Sequence, residues 1–252
     1  MLKEGNQRFV SGTSIHCDLM AQVKATAAGQ APFAAVVGCI DSRVPPELIF
    51  DQHIGDVFAA RIAGNFVNID IIGSLEFATQ LAGARLIVVL GHTECGAIKG
   101  AVDDAKLGNL TATLANIRPS VIKVQGIEVP RNSKNKKLVQ ADADQNARDA
   151  AGLLTERSEI LRSLVAQGKL RIVSAMHDVG TGRVTWFSWS RSAMVLNHLA
   201  AAIIAFRRVP LAVRLVDGLA LGHPLAASSL TRERRYLSQG RIHSKPSVKP
   251  TT

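Results

Sequence analysis

Two short runs in this 252-residue chain hold residue types that do chemistry: Cys39-Ile40-Asp41-Ser42-Arg43 and His92-Thr93-Glu94-Cys95. Two thiols and an imidazole make a zinc ligand set, and a catalytic zinc keeps its fourth tetrahedral position for water or substrate. Two thiolates and a neutral imidazole bring the divalent ion to formal zero charge. A water in the open position then ionises near neutral pH. Asp41 and Arg43 share the parity of Cys39, so an extended segment sends all three to one side. A carboxylate beside a guanidinium stays ionised and oriented. Two roles are open to Asp41: acceptor for the metal's water, or fourth ligand that closes the tetrahedron. Taken singly, each residue reads as structural, since a buried Cys is commonly a small hydrophobe. Taken together at this spacing, they read as a metal site.

The elements that must position them follow from the apolar pattern. Phe33–Val37 and Leu86–Leu90 read as buried strands, each running straight into one of the two motifs. Ligands of open α/β sheets sit at the carboxyl ends of strands. Pro45-Pro46-Glu47 starts a short helix, because proline suits a first turn. Val57–Ile62 reads as a second buried strand, closed by a turn at Gly64-Asn65. Apolar residues at helical spacing predict a helix over 69–82 that stops at Gly83. Residues 95–125 read as helical with breaks at Gly108 and Pro119, and 126–137 as a basic, solvated loop. A helix is expected over 138–167, with Asp142, Asp144, Asp149 and Glu156 on polar faces. Leu170–Met176 is a further strand, and Val184–Phe187 pairs back onto it after a turn. Residues 1–28 read as helical, anchored by Leu2, Phe9 and Val10. The expected fold class is α/β, a mainly parallel central sheet flanked by helices.

Several motifs carry nothing. Gly91-x4-Gly96 lacks the Lys-Ser/Thr pair of a phosphate loop, and no dinucleotide fingerprint is present. Gly96 instead lets backbone come close to the metal. His16-Cys17 are sequence neighbours with nothing nearby to complete a site. His177 reads as structural, with a proton-shuttle role as the alternative.

Cys-x-Asp-x-Arg at 39–43 with His-x-x-Cys at 92–95 resembles the β-class carbonic anhydrases. The likeness extends through Ser42-Arg43-Val44-Pro45-Pro46-Glu47, Ala63-Gly64-Asn65 and Gly91-His92-Thr93-Glu94-Cys95-Gly96-Ala97, and spans roughly Leu2 to Phe187. The resemblance implies reversible hydration of carbon dioxide to bicarbonate by zinc-hydroxide attack, with one Zn2+ per chain. It implies Cys39, His92 and Cys95 as metal ligands and Asp41 with Arg43 as the catalytic dyad. Gln30, Phe58, Phe77 and Gly96 fall at substrate-binding positions. Phe77 stands where plant members have tyrosine, and His177 replaces a common aromatic residue. Val36 stands where members with an inhibitory bicarbonate site carry tryptophan, which argues against that regulation. The family further implies a homodimer or higher homo-oligomer, with an N-terminal arm packed on a partner subunit.

Composition sets outer bounds. Hydrophobic residues make up 47% of the chain but aromatic ones only 4%, so aliphatic side chains must fill the core. No apolar run reaches the ~18 residues of a membrane span, and the start lacks signal-peptide character. Three cysteines do not make a disulfide framework, and two are needed reduced for the metal, which leads to a cytoplasmic expectation. A catalytic domain is expected over 1–189 and a basic extension over 190–252. That extension holds ten Lys/Arg against two Asp/Glu, a net of +8 within a chain total of +10. Its composition is that of a disordered segment. A membrane-surface contact and a tail never selected for folding stay open beside that reading; no specific nucleic-acid signature is present. Two alternative functions stay open as well: hydrolysis of carbon disulfide or carbonyl sulfide on the same scaffold, and a non-catalytic zinc-stabilised protein binding polyanions through its tail.

Overall fold

The computed structural model describes residues 1–15, 18–127 and 130–187. His16-Cys17 and the basic extension 190–252 lie outside the described residues. The elements run α1 (Leu2–Ser11), α2 (Leu19–Thr26), β1 (Ala34–Gly38), α3 (Pro46–Ile49), β2 (Val57–Arg61), α4 (Ile69–Glu76), β3 (Leu86–His92), α5 (Gly96–Val102), α6 (Gly108–Ala115), α7 (Arg118–Lys123), α8 (Lys136–Arg157), α9 (Glu159–Ala166), β4 (Arg171–His177) and β5 (Val184–Trp186). One five-stranded sheet has the order β2-β1-β3-β4-β5. The first four strands are parallel, and β5 pairs antiparallel with β4.

The central strands are apolar on both faces because helices cover both faces, the usual consequence of a parallel sheet. Val36, Val88 and Leu90 enter one core with Ile98, Leu114 and Ile117. Ala35, Val37, Ile87 and Val89 enter the other with Leu75, Leu154 and Leu161. The long helix α8 feeds both, giving Val139 and Ala143 to the first and Ala147, Ala150 and Leu154 to the second. Its alanines let it lie close on β3, where Gly91 has no room for a Cβ beside Met176 and Ala147.

The structure departs from the sequence reading in four places. β2 is a half-buried edge strand rather than a buried one, since no strand among the described residues pairs with its outer side. The helix expected over 69–82 is α-helical only to Glu76, and Phe77–Leu81 is a π-helical turn closed by Ala82 N–H on the Phe77 carbonyl. Gly83 ends it with φ 79°, as expected. The helix expected over 138–167 breaks at Ser158, whose backbone is extended and whose hydroxyl caps α9 by accepting from Leu161 N–H. Asp142 lies on no polar face: it is 0% exposed.

Asn6 ties the chain's start to the far side of the sheet. Its amide donates to the carbonyls of Ile49 and Gly182 and accepts from Val184 N–H. By contrast, α2 is capped by Asp18 yet buries none of its residues.

Candidate metal centre

β1 and β3 are neighbouring parallel strands, so their carboxyl ends lie side by side. β1 hands over to Cys39 and β3 ends on His92. Glu94, at φ 56°, turns the chain back so that Cys95 becomes the N-cap of α5. The ligand atoms of Cys39, His92 and Cys95 all lie within 4.8 Å of one another, and all three residues are buried.

His92 is oriented for coordination. Its Nδ1 lies 2.8 Å from the Thr93 carbonyl oxygen. A carbonyl can only accept, so Nδ1 carries the proton and Nε2 turns its lone pair to the sulfurs. Nε2 is buried and has no protein partner. Leaving a buried acceptor unpaired costs about 1–3 kcal/mol, a cost that a bound cation removes. The Cys95 thiol donates to Cys39 and, ahead of contributions from His92 and the backbone N–H groups of Gly64 and Asp41, holds Cys39 down to about 4. The same bond, then burial, pushes Cys95 up. A metal ion takes both cysteines as thiolates and displaces their protons as it binds. Two sulfurs and an imidazole nitrogen with a free lone pair fit zinc.

Asp41 reaches the same point. Arg43 grips it through Nε to Oδ1 (2.9 Å) and Nη2 to Oδ2 (2.7 Å), and Arg43 N–H adds a third bond to Oδ1 at 3.0 Å. Those bonds hold the Asp41 carboxyl well below the usual carboxylate range. Oδ2 stands 3.9 Å from His92 Nε2. Arg61 was not visible as a site residue in the sequence. It donates from Nε to the Cys39 carbonyl (2.8 Å) and from Nη2 to the Asp41 carbonyl (2.5 Å), clamping the loop between ligand and carboxylate. The parallel pairing that sets Arg61 beside Gly38 puts it there. Its position at a strand end was the available signal.

Gln30, Phe58 and Phe77 are not brought to this cluster within one chain. Phe58 meets Phe77 edge-to-face, with ring centroids 6.2 Å apart. Gln30 is exposed, and its Cβ lies 3.9 Å from where a Gly55 Cβ would stand, just before β2 begins. Cys39 follows the opposite, carboxyl end of the sheet. The intervening five strand positions span about 16 Å. Gly96 opens α5 beside Cys95, and a Cβ there would meet open space.

His177 pairs with His92 in the β3–β4 register, and its carbonyl accepts from Thr93 N–H at 2.9 Å. Burial first, then His92, hold it down to about 4. A buried imidazole that stays neutral is poorly matched to proton transfer near pH 7, which favours the structural reading.

Residues 34–184 match the family model described as carbonic anhydrase. Carbonic anhydrase 2 of Mycobacterium tuberculosis is 36% identical over 188 residues, covering 72% of this chain and 87% of that protein. Among solved structures, the β-carbonic anhydrase CafA of Aspergillus fumigatus has a TM-score of 0.61 at 23% identity, covering 71% of this chain and 86% of that one. A structure from a study of two tetrameric β-carbonic anhydrases of Sordaria macrospora has a TM-score of 0.57 at 24% identity, covering 68% and 91%. These two likenesses bear on the fold.

Proposed function

Since this chain belongs to the β-carbonic anhydrase family, we propose that Cys39, His92 and Cys95 hold the zinc ion with which it interconverts carbon dioxide and bicarbonate. The observation that carries the ligand assignment is His92 Nε2, buried, unpartnered and facing two sulfurs. Zinc bound there supplies a Lewis acid that makes water nucleophilic near neutral pH.

The chain's own residues do the rest. Asp41 Oδ2, kept ionised by Arg43, accepts a hydrogen from the attacking water and so directs its lone pair at the carbon of carbon dioxide. Arg61 fixes the backbone between Cys39 and Asp41, so ligand and carboxylate keep one spacing. The catalytic domain comprises residues 1–189, a span in which Asn6 already joins the first helix to β5.

A second copy completes the pocket. An eight-residue helix that buries no side chain does not hold itself in water, and α2 exposes Leu19, Met20 and Val23. Ile69 is 83%, Phe77 54% and Leu81 76% exposed, and Phe77 meets Phe58 of β2, an edge strand among the described residues. An apolar segment flanking an open edge calls for a covering partner. A partner laid there brings a second set of Gln30, Phe58 and Phe77, whose amide and rings present carbon dioxide to the metal. The enzyme is therefore a homodimer or an assembly of dimers. A site that needs both thiols reduced supports a cytoplasmic location. No helix among the described residues is long and apolar enough to cross a membrane.

Stopped-flow hydration of carbon dioxide at pH 7 and pH 9, with zinc assayed on the same sample, tests the assignment. Activity with about one zinc per chain is expected. Cys39→Ala and His92→Ala should lose zinc and activity together. Full zinc with no hydration at either pH would overturn it, moving the weight to a structural metal or to carbon disulfide or carbonyl sulfide as substrate.

A further inference from the structure

Cys39 Sγ accepts a hydrogen bond from the Gly64 N–H at 3.3 Å, in a buried setting. Gly64 is held in an unusual way. Its φ is +81°, and the next residue, Asn65, is also left-handed at φ 43°. A Cβ on Gly64 would collide with Ile117 and stand 3.2 Å from Ala97, so one side of this peptide is wedged against α5 and the residue leading into α7. The other side is held by a single side chain. Asn146, 2% exposed in the middle of α8, donates from Nδ2 to the Gly64 carbonyl at 2.8 Å. The two contacts lie 82 and 25 residues apart in sequence and meet on one glycine.

Glycine adopts this left-handed backbone without steric cost, and the packing around Gly64 leaves no room for a side chain there. The Gly64 N–H and carbonyl belong to successive peptide units joined at its Cα, so with that Cα packed against Ile117 and Ala97 and the carbonyl fixed by Asn146, turning the N–H away from Cys39 would disturb one of these contacts. The amide therefore keeps one direction, toward the sulfur. A fixed N–H donor on a thiolate takes up part of its charge and selects the lone pairs left for a metal, the outer-shell control that orients ligands and tunes affinity.

We propose that Asn146 is a positioning residue for the metal centre: acting through the Gly64 peptide, it sets the orientation and electron donation of the Cys39 thiolate. This rests on Cys39 being a ligand. The residue touches neither substrate nor metal and is 107 positions from the sulfur it controls. Its neighbours on α8, Ala143, Ala147 and Ala150, are small and buried, which keeps the helix close enough for a short amide side chain to reach.

The test uses the full chain with cobalt(II) in place of zinc, because a thiolate–cobalt charge-transfer band reports directly on sulfur donation. Asn146→Ala and Asn146→Asp are compared with wild type and with Ser158→Ala, which removes the buried cap of the next helix, α9. Both Asn146 variants should shift the band and weaken zinc by about 10–100-fold in chelator competition, while Ser158→Ala leaves both unchanged. Folded Asn146 variants with the wild-type band and affinity would overturn the inference. So would failure of both to fold, which would give Asn146 a purely structural role. A wild-type chain with no thiolate band would sink the metal assignment itself, and this inference with it.

Discussion

Asp41 Oδ2 stands 3.9 Å from His92 Nε2 and accepts from Arg43 Nη2, while Arg43 Nε holds Oδ1. Arg43 thus keeps the carboxylate ionised and beside the nitrogen that would ligate zinc, where Asp41 could accept a hydrogen from the attacking water. Asp41→Asn should keep full zinc and slow hydration on the order of 10²-fold, the usual worth of a positioned proton acceptor. Arg43→Gln removes the restraint and lets the Asp41 carboxyl rise toward its ordinary range. That ordinary value, 3.8, still leaves it ionised at pH 7, so kcat should fall by a similar factor at pH 7 and pH 9 through lost positioning alone. A kcat unchanged from wild type would contradict the role of the pair.

The Arg61 clamp makes a separate prediction. Arg61→Met keeps the unbranched stem of the side chain and removes both bonds to the Cys39 and Asp41 carbonyls. Stability should fall by about 1–3 kcal/mol, and zinc should dissociate roughly 10–100-fold more readily. Urea unfolding and chelator competition measure these together. Loss of stability with unaltered zinc affinity would confine the residue to the fold.

Asp142 yields a pH dependence with a definite sign. Both oxygens are buried without a partner, and burial, opposed by the Arg131 charge, pushes the carboxyl up from 3.8 to about 6. A raised folded value means that the native state holds the proton more tightly than the unfolded chain. Its contribution is full below pH 3.8 and is lost as pH rises through about 6. Asp142→Asn should therefore match wild type near pH 4 and exceed it by up to about 3 kcal/mol at pH 8. Equal stability at both pH values would show that the carboxylate finds a partner.

The oligomer prediction concerns Phe77 and Leu81. Leu81→Asp sets a charge on the exposed π-helical turn without touching the metal ligands. Sedimentation should show dissociation toward monomer, with zinc retained and hydration reduced. A monomeric variant with wild-type turnover would mean that each chain carries a complete pocket.

The metal set was legible because its chemistry is carried by residue identity: thiol, imidazole and carboxylate at two strand ends leave few other readings. Strands β1 and β3 were legible for a related reason, since doubly buried strands are continuous apolar runs. What escaped depended on partners remote in sequence. Nothing local tells an edge strand from a central one, so β2 read as buried. Asp142 breaks the polar pattern of its helix with no compensating residue nearby. Arg61 and Asn146 act through backbone carbonyls, which have no identity in a sequence. The break at Ser158 had its signal, a serine three residues before Leu161, whose N–H it caps, masked by strong helix formers on both sides.

All three ligands lie in the first 95 residues, on strands that sit together, whereas Asn146 belongs to a helix synthesised later. At about 5–20 residues per second, the roughly fifty residues between Cys95 and Asn146 occupy a few seconds of translation. For that interval the thiols have left the ribosome before the helix that fixes the Gly64 peptide exists. The window in which they are open to oxidants and competing metals is set by the position of α8 along the message.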